Sequence, residues 1–206
     1  MLTDSAIRTP SLMARLREGT AAIREDRELL AGRVSWLDYR LFLVRLYGFH
    51  AGLERMLTSS RQLVTVIADA PLRNHKTALI AHDLVALGVD RRDLAQLPRM
   101  TFAAPFTLAE ALGWTYVVES ETVGGKRLAR RLARQLPAEI LTASAYLGCY
   151  GDEAAERWRE LGDALDAFAH AERDGDQVIA TARDGFLRLR AWVQPALQPR
   201  SSRIHA

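Results

Sequence analysis

The 206-residue chain contains a single cysteine, Cys149, and so cannot form an intramolecular disulfide. It has no cysteine or histidine pair at the spacing of a zinc site. Its apolar runs are far shorter than the roughly 20 residues that span a membrane, and its start lacks the basic-then-apolar pattern of a signal peptide. We therefore expect a cytoplasmic protein in a reducing compartment. The formal net charge of +3 is too small to indicate a nucleic-acid-binding protein.

Strands are also missing from the pattern, since no run of alternating β-branched residues occurs. Apolar residues instead recur every three or four positions, as they do on the buried face of a helix. Hydrophobic residues make up 49% of the chain and charged residues 26%, a composition typical of a globular domain. We predict one all-α domain, a bundle of six to eight helices over residues 11–194. Residues 1–10 are expected to be a flexible N-terminus and residues 195–206 a disordered tail.

Capping residues and helix breakers divide this domain into helices. Ser11 and Ser35 suit helix N-caps, and Pro71 suits a first helical turn. Gly32 and Gly88 suit the position just after a helix end. Residues 89–106, which include the helix breakers Pro98 and Pro105, are predicted to form a connector. The predicted helices are 11–30, 35–57, 71–87, 107–135, 153–173 and 176–192, with a short segment at 138–150.

Two adjacent glycines, Gly124 and Gly125, interrupt the longest predicted helix. Together they cost about 1–2 kcal/mol of helix propensity relative to alanine, so some contact should compensate for them. Glycine allows either a close crossing with another helix or a kinked helix that lies over a planar cofactor. The residues alone leave both alternatives open.

The stretch that contains these glycines resembles a known signature. Residues 116–126 read Tyr-Val-Val-Glu-Ser-Glu-Thr-Val-Gly-Gly-Lys, which is similar to the distal helix of bacterial heme oxygenases, especially those encoded beside bacteriophytochromes. The segment Leu-Arg-Glu-Gly-Thr that ends at Thr20 is similar to the opening of that family's first helix. Further fragments resemble the next two helices in the same order: Leu46-Tyr47 with Gly52-Leu53-Glu54, and Asp83-Leu84 with Leu87-Gly88.

The resemblance implies a heme held between the first helix and the glycine helix. It also implies electrons from a ferredoxin or reductase, and a reaction that converts heme to biliverdin, carbon monoxide and ferrous iron. Arg17 matches the position whose basic side chain meets a heme propionate. The cofactor-binding residues that the resemblance implies in this sequence are Arg17, Thr20, Arg24, Glu28, Ser120, Glu121, Gly124 and Gly125.

The sequence departs from the family on both sides of the expected heme. The family's iron-ligating histidine lies four residues after the threonine, where this chain has Arg24, and no histidine occurs in the first 49 residues. A protonated guanidinium has no lone pair to offer iron, so we expect Arg24 not to ligate it and assign no metal ligand. The family's Gly-Ser pair reads Ser120-Glu121, which adds bulk and negative charge. We hypothesise that Arg24 pairs with Glu28 or Glu121 and partly fills the slot; the alternative is a solvated Arg24–Glu28 pair.

A basic helical face follows the glycines and comprises Arg127, Arg130, Arg131 and Arg134. This face could steer an acidic electron donor toward the cofactor edge, although a solvated face is the alternative.

The histidines and the cysteine do not indicate a metal site or a nucleophile. The five histidines include no pair three or four residues apart that could share a metal. Cys149 is predicted to be a buried structural thiol.

Three functions remain in view. The first is a divergent heme oxygenase homologue whose binding of heme or another tetrapyrrole, such as biliverdin, is lost or altered. The second is an active heme oxygenase that produces biliverdin. The third is a non-catalytic interaction protein linked to a phytochrome. The missing histidine favours the first over the second.

Overall fold

The computed structural model describes residues 10–25, 30, 32–73, 75–103, 106–172 and 174–197, and its regular structure there is entirely helical. The predicted all-α fold is confirmed. The α-helices are α1 (Leu12–Glu25), α2 (Trp36–Ser59), α3 (Leu63–Val66), α4 (Ala70–Arg73), α5 (Lys76–Ala86), α6 (Leu108–Leu132), α7 (Pro137–Thr142), α8 (Ala154–Glu172) and α9 (Gly175–Leu197). Short 3₁₀ turns occur at Asp93–Gln96 and Gly151–Glu153.

Local capping chemistry explains where the two long central helices begin. The Ser35 hydroxyl accepts from the Asp38 backbone N–H, and the Asp38 side chain accepts from the Ser35 N–H, which forms a capping box at the start of α2. Thr107 and Glu110 form the same box at the start of α6. Gly88, with φ of +80°, follows α5 as predicted.

Several predicted boundaries are wrong. The helix predicted at 71–87 is divided into α4 and α5, and at the break Lys76 turns inward and its Nζ donates to the Arg73 carbonyl at 2.7 Å. The helix predicted to reach residue 135 ends at Leu132, and Pro137 then starts α7, which occupies only the first part of the predicted 138–150 segment. The short α3 was not predicted.

The first and last helices differ from the prediction as well, whereas residues 1–9 and 198–206, most of the predicted flexible N-terminus and tail, lie outside the described residues. Helix α1 ends at Glu25 and Leu30 lies in a turn, whereas residues 26–29 lie outside the described residues. Helix α9 continues to Leu197, beyond the predicted end of both the helix and the domain. Trp192 anchors this last part, because its indole N–H donates to the Arg45 carbonyl of α2 at 2.7 Å.

The core of the bundle lies where α6 packs against α9. Helix α9 also packs against α1 and α2. Glycines allow this close approach. A Cβ added to Gly113 would lie 2.7 Å from the Thr181 Cβ, and one added to Gly185 would lie 2.8 Å from the Val117 Cγ2. Helix α9 therefore packs against both α6 and α1, the two helices that carry the predicted site. Among the described residues no helix is both long and apolar enough to cross a bilayer.

Candidate functional site

A cavity of about 640 Å³ lies between α1 and α6, within the range of roughly 300–1,000 Å³ typical of small-molecule sites. Helix α1 contributes one face through Arg17, Ala21 and Arg24, which are spaced four and three residues apart. Helix α6 supplies the opposite wall, and parts of the chain near α2 and α7 close the sides. The remaining lining residues are Leu30, Phe42, Ser120, Glu121, Gly124, Gly125, Arg127, Leu128, Arg131, Tyr146 and Leu147.

The two adjacent glycines of α6 serve different purposes. Among the described residues outside the adjacent backbone of α6, no heavy atom lies within 4 Å of a Cβ added to Gly124, so this residue leaves open space at the cavity wall. A Cβ added to Gly125 would lie 2.5 Å from the Leu147 carbonyl oxygen. Gly125 therefore permits a close backbone approach, although to the turn after α7 rather than to another helix. The close approach that the sequence predicted is thus present at Gly125, but not as a helix crossing, and the kinked helix over a planar cofactor remains a prediction.

Arg24, at the position where the resemblance expects a ligand, is half-buried and lines the cavity. Its guanidinium carbon lies 6.0 Å from the centroid of the Phe186 ring, a cation–π distance. Glu121, one of its two predicted partners, lines the same cavity from α6. Glu28, the other, lies outside the described residues. The structure thus places Arg24 at the cavity wall rather than on an open surface.

The two hydroxyl residues of the predicted site differ in their surroundings. Thr20 is fully buried outside the cavity lining, and its hydroxyl donates to the Leu16 carbonyl of its own helix at 2.7 Å. Ser120 is also buried, but it lines the cavity. Its Oγ has no hydrogen-bond partner among the described residues.

The predicted basic face is divided between the cavity and the surface. Arg127 and Arg131 line the cavity, and the Arg131 Nη2 donates to the Leu30 carbonyl at 2.6 Å. Arg130 and Arg134 are exposed and do not line it. Arg17 and Arg24 add two cations from α1, whereas Glu121 is the one carboxylate among the described lining residues. The cavity is therefore suited to an anionic ligand.

No histidine is found among the described residues that line the cavity. The buried His50 lies behind Tyr146, and its Nε2 is 3.2 Å from the Tyr146 hydroxyl. Burial, followed by the charge of Lys76, lowers the pKa of His50 to about 3, so its imidazole is neutral at physiological pH. Tyr146 is the lining residue with a donor oxygen that the sequence analysis missed, because its position depends on a contact with a distant helix.

A buried charged cluster on the other side of α6 was also missed. Lys76 is fully buried, and its Nζ donates to Glu119 Oε1 and to the Tyr150 hydroxyl, both at 2.8 Å. Arg73, which is 2% exposed, donates to Asp69 at 2.7 Å. Glu119 belongs to the quoted helix motif, but nothing in the sequence pairs it with cations more than 40 residues away.

Cys149 lies beside this cluster and is buried, as predicted. Burial raises the pKa of its thiol, and its Sγ lies 3.9 Å from His75 Nε2. A thiol with a raised pKa is mostly protonated at neutral pH and is a poor nucleophile. These surroundings agree with a structural role for Cys149.

A family model described as heme oxygenase matches residues 11–195. The chain belongs to the heme oxygenase family. A crystal structure of the NO- and CO-bound heme oxygenase from Neisseria meningitidis is similar, with 19% identity and a TM-score of 0.75, covering 94% of this chain and 96% of that one. The heme oxygenase from Leptospira interrogans is 16% identical, with a TM-score of 0.72, covering 90% of this chain and all of that one. No curated protein matches the sequence.

At these identities the two solved structures establish the fold shared with heme oxygenases. The recognition of the family from the glycine helix and the first helix is confirmed. In this family heme is the substrate, and the α1–α6 cavity is the place where the resemblance expects it. The roles of the individual lining residues remain predictions.

Proposed function

We propose that this chain is a divergent heme oxygenase homologue that binds a tetrapyrrole in the α1–α6 cavity without an axial bond from the protein. Under this proposal it has lost the ordinary conversion of heme to biliverdin. The observation that carries the proposal is the position of Arg24 in a cavity with no histidine among its described lining residues.

The body of a tetrapyrrole suits the cavity. A flat apolar ring needs apolar walls, and Ala21, Phe42 and Leu128 supply such walls. The open space at Gly124 leaves room beside α6. The propionates of a tetrapyrrole are carboxylates, which the arginines of the lining can pair with through charge-assisted hydrogen bonds. Apart from Arg24, the arginines that line the cavity are Arg17, Arg127 and Arg131.

The same lining residues do not offer a ligand to the iron of a heme. Arg24 stays protonated and has no lone pair to donate. Tyr146 has an oxygen, but it would bind iron as a tyrosinate and would first have to lose its proton. Its partner His50 has a pKa near 3 and is a poor acceptor for that proton. The described lining therefore supports binding of the ring without a bond to the metal.

Titration with hemin tests the proposal. We expect the full-length protein to give a Soret band without the features of histidine-ligated heme, and no biliverdin absorbance after a reductant is added in air. Arg24→His should create a histidine-type spectrum, because an imidazole then faces the ring. Arg159→His, at an exposed position on α8, is the matched control and should behave as wild type. A histidine-type spectrum with biliverdin production in the wild type would overturn the proposal.

An active heme oxygenase is the second candidate, and the family membership together with the preserved cavity favours it. Such an enzyme needs electrons from a ferredoxin or reductase. The exposed Arg130 and Arg134 are the parts of the predicted docking face that lie outside the cavity lining. If turnover is found, Arg130→Glu with Arg134→Glu should slow it with an acidic donor, and high salt should reduce the difference.

A further inference from the structure

Ser120 differs from the two threonines of α6. The Tyr116 hydroxyl on α6 also has no partner among the described residues, but of the two only Ser120 lines the cavity. Thr115 and Thr122 are buried, and each donates to the backbone carbonyl four residues earlier, at 2.8 and 3.0 Å. Ser120 is equally buried, with 4% of its surface exposed, but its Oγ has no hydrogen-bond partner among the described residues. A buried hydroxyl without a partner is unfavourable, and a native protein usually satisfies it. Since Ser120 lines the cavity, a ligand can supply the missing partner.

Arg24 lines the same cavity from α1 and adds a cation with several N–H donors. A ferric porphyrin is a poor match for this pair. Its four ring nitrogens are occupied by the metal, and its centre carries a net positive charge that a nearby guanidinium repels. Its flat centre also offers no acceptor to the Ser120 hydroxyl.

A metal-free, open-chain tetrapyrrole is a better match. It has no cationic centre, and its two terminal rings carry lactam oxygens that accept hydrogen bonds. Its propionates are the same as those of heme, so the arginines at Arg17, Arg127 and Arg131 would hold either ligand and would not discriminate between them. Discrimination is therefore left to the groups that meet the centre and the ends of the chromophore.

We propose that Arg24 and Ser120 make this cavity selective for a metal-free open-chain tetrapyrrole over iron porphyrin, by donating hydrogen bonds to its lactam oxygens. The inference rests on the proposed function, because it requires that the cavity takes a tetrapyrrole. It goes further in naming the class of tetrapyrrole and the two residues that set the preference.

Three probes separate the contributions of metal and ring opening: biliverdin, metal-free protoporphyrin IX and hemin. Each is titrated into the full chain, followed by absorbance and by quenching of tryptophan fluorescence. We expect biliverdin to bind at least about tenfold more tightly than hemin. Protoporphyrin IX should fall between them, because it lacks both the cationic centre and the lactam oxygens.

Two variants assign the preference to the two residues. Ser120→Ala should weaken biliverdin about fivefold, the effect of one hydrogen bond, and should leave the other two probes within about twofold. Arg24→Leu should weaken biliverdin and strengthen hemin, so that the preference collapses. Ser59→Ala, at an exposed hydroxyl on α2, is the matched control and should change none of the affinities. Thermal melting by circular dichroism verifies that each variant is folded, and Ser120→Gly and Arg24→Lys replace any that is not.

Several outcomes overturn the inference. Hemin binding as tightly as biliverdin in the wild type would do so, as would an unchanged biliverdin affinity in Ser120→Ala. A loss of hemin affinity alone in that variant would assign Ser120 to the iron side instead. If protoporphyrin IX or hemin binds and biliverdin does not, this inference fails while the proposed function stands. If none of the three probes binds, both fail.

Discussion

Polar groups on the two sides of α6 differ in whether the protein supplies their hydrogen-bond partners. On one side Glu119 is enclosed by Lys76 and Tyr150, and its carboxylate is satisfied by protein donors. On the other side the next residue, Ser120, faces a cavity with its hydroxyl unsatisfied by the described residues, and Arg24 lies at the same cavity. Because its charges are paired within the fold, we infer that the first side stabilises the folded protein. The second lines the cavity proposed to hold a tetrapyrrole, where a ligand would supply the partner that the Ser120 hydroxyl lacks among the described residues.

Removing a charge from the paired side should have the largest effect. Lys76→Met leaves the Glu119 carboxylate buried with its nearest cation gone, and the remaining guanidinium contact, from Arg73 Nη1, is 3.4 Å long. We expect a loss of about 3–5 kcal/mol in the free energy of unfolding, measured by urea denaturation.

The control for that experiment is Lys126→Met. Lys126 lies on the same helix as Glu119, and the substitution breaks its exposed ion pair with Asp152. It should leave the urea midpoint nearly unchanged. Equal losses in the two variants would show that burial of the Lys76–Glu119 pair is not what stabilises this side of α6.

The adjacent glycines sharpen the comparison within two residues. Gly125→Ala places a Cβ 2.5 Å from the Leu147 carbonyl oxygen, so we expect a loss of about 1–3 kcal/mol by urea denaturation. Gly124→Ala meets open space and replaces a poor helix former, so it should gain up to about 1 kcal/mol. The same methyl group should weaken tetrapyrrole binding, because it points into the cavity. A destabilised Gly124→Ala, or a Gly125→Ala as stable as wild type, would contradict this assignment.

The pH dependence of stability probes His50, which lies behind the cavity residue Tyr146. Burial lowers the pKa of His50 from its ordinary 6.5 to about 3, so the unfolded chain takes up this proton first as the pH falls. Stability is therefore lost progressively from about pH 6.5 toward pH 3, by up to about 1.4 kcal/mol per pH unit for one proton.

His50→Gln should flatten this part of the stability curve, measured by urea denaturation at a series of pH values. The exposed His170→Gln is the control and should keep the wild-type slope. A slope that is the same in wild type and His50→Gln would show that His50 titrates normally in the folded protein.

The sequence predicts the features that depend on neighbouring residues. The sequence predicts Ser35 as an N-cap and a helix that starts at Thr107, and the two long helices begin directly after these two residues. The motif around Gly124 and Gly125 is likewise contiguous, and it located the α6 wall of the cavity. Because each of these patterns lies within a few residues, it can be recognised in the sequence without knowledge of the packing.

What the sequence does not predict depends on distant contacts. At the break between α4 and α5, Lys76 turns toward Glu119, 43 residues away. The basic face is divided because Arg131 reaches the Leu30 carbonyl, 101 residues away. Ser120 has the same residue type as many satisfied helical serines, and only the cavity beside it reveals its missing partner. Helical spacing identifies a face but not what lies opposite that face.

Electron paramagnetic resonance of the ferric hemin complex of the full chain tests whether the cavity holds a tetrapyrrole without a protein bond to its metal. Arg24→His is the reference for an imidazole-bound iron. We expect the wild-type signal to lack the signature of nitrogen or tyrosinate ligation and the Arg24→His signal to acquire the nitrogen signature. A wild-type signal that already shows a protein ligand on the iron would rule out this mode of binding.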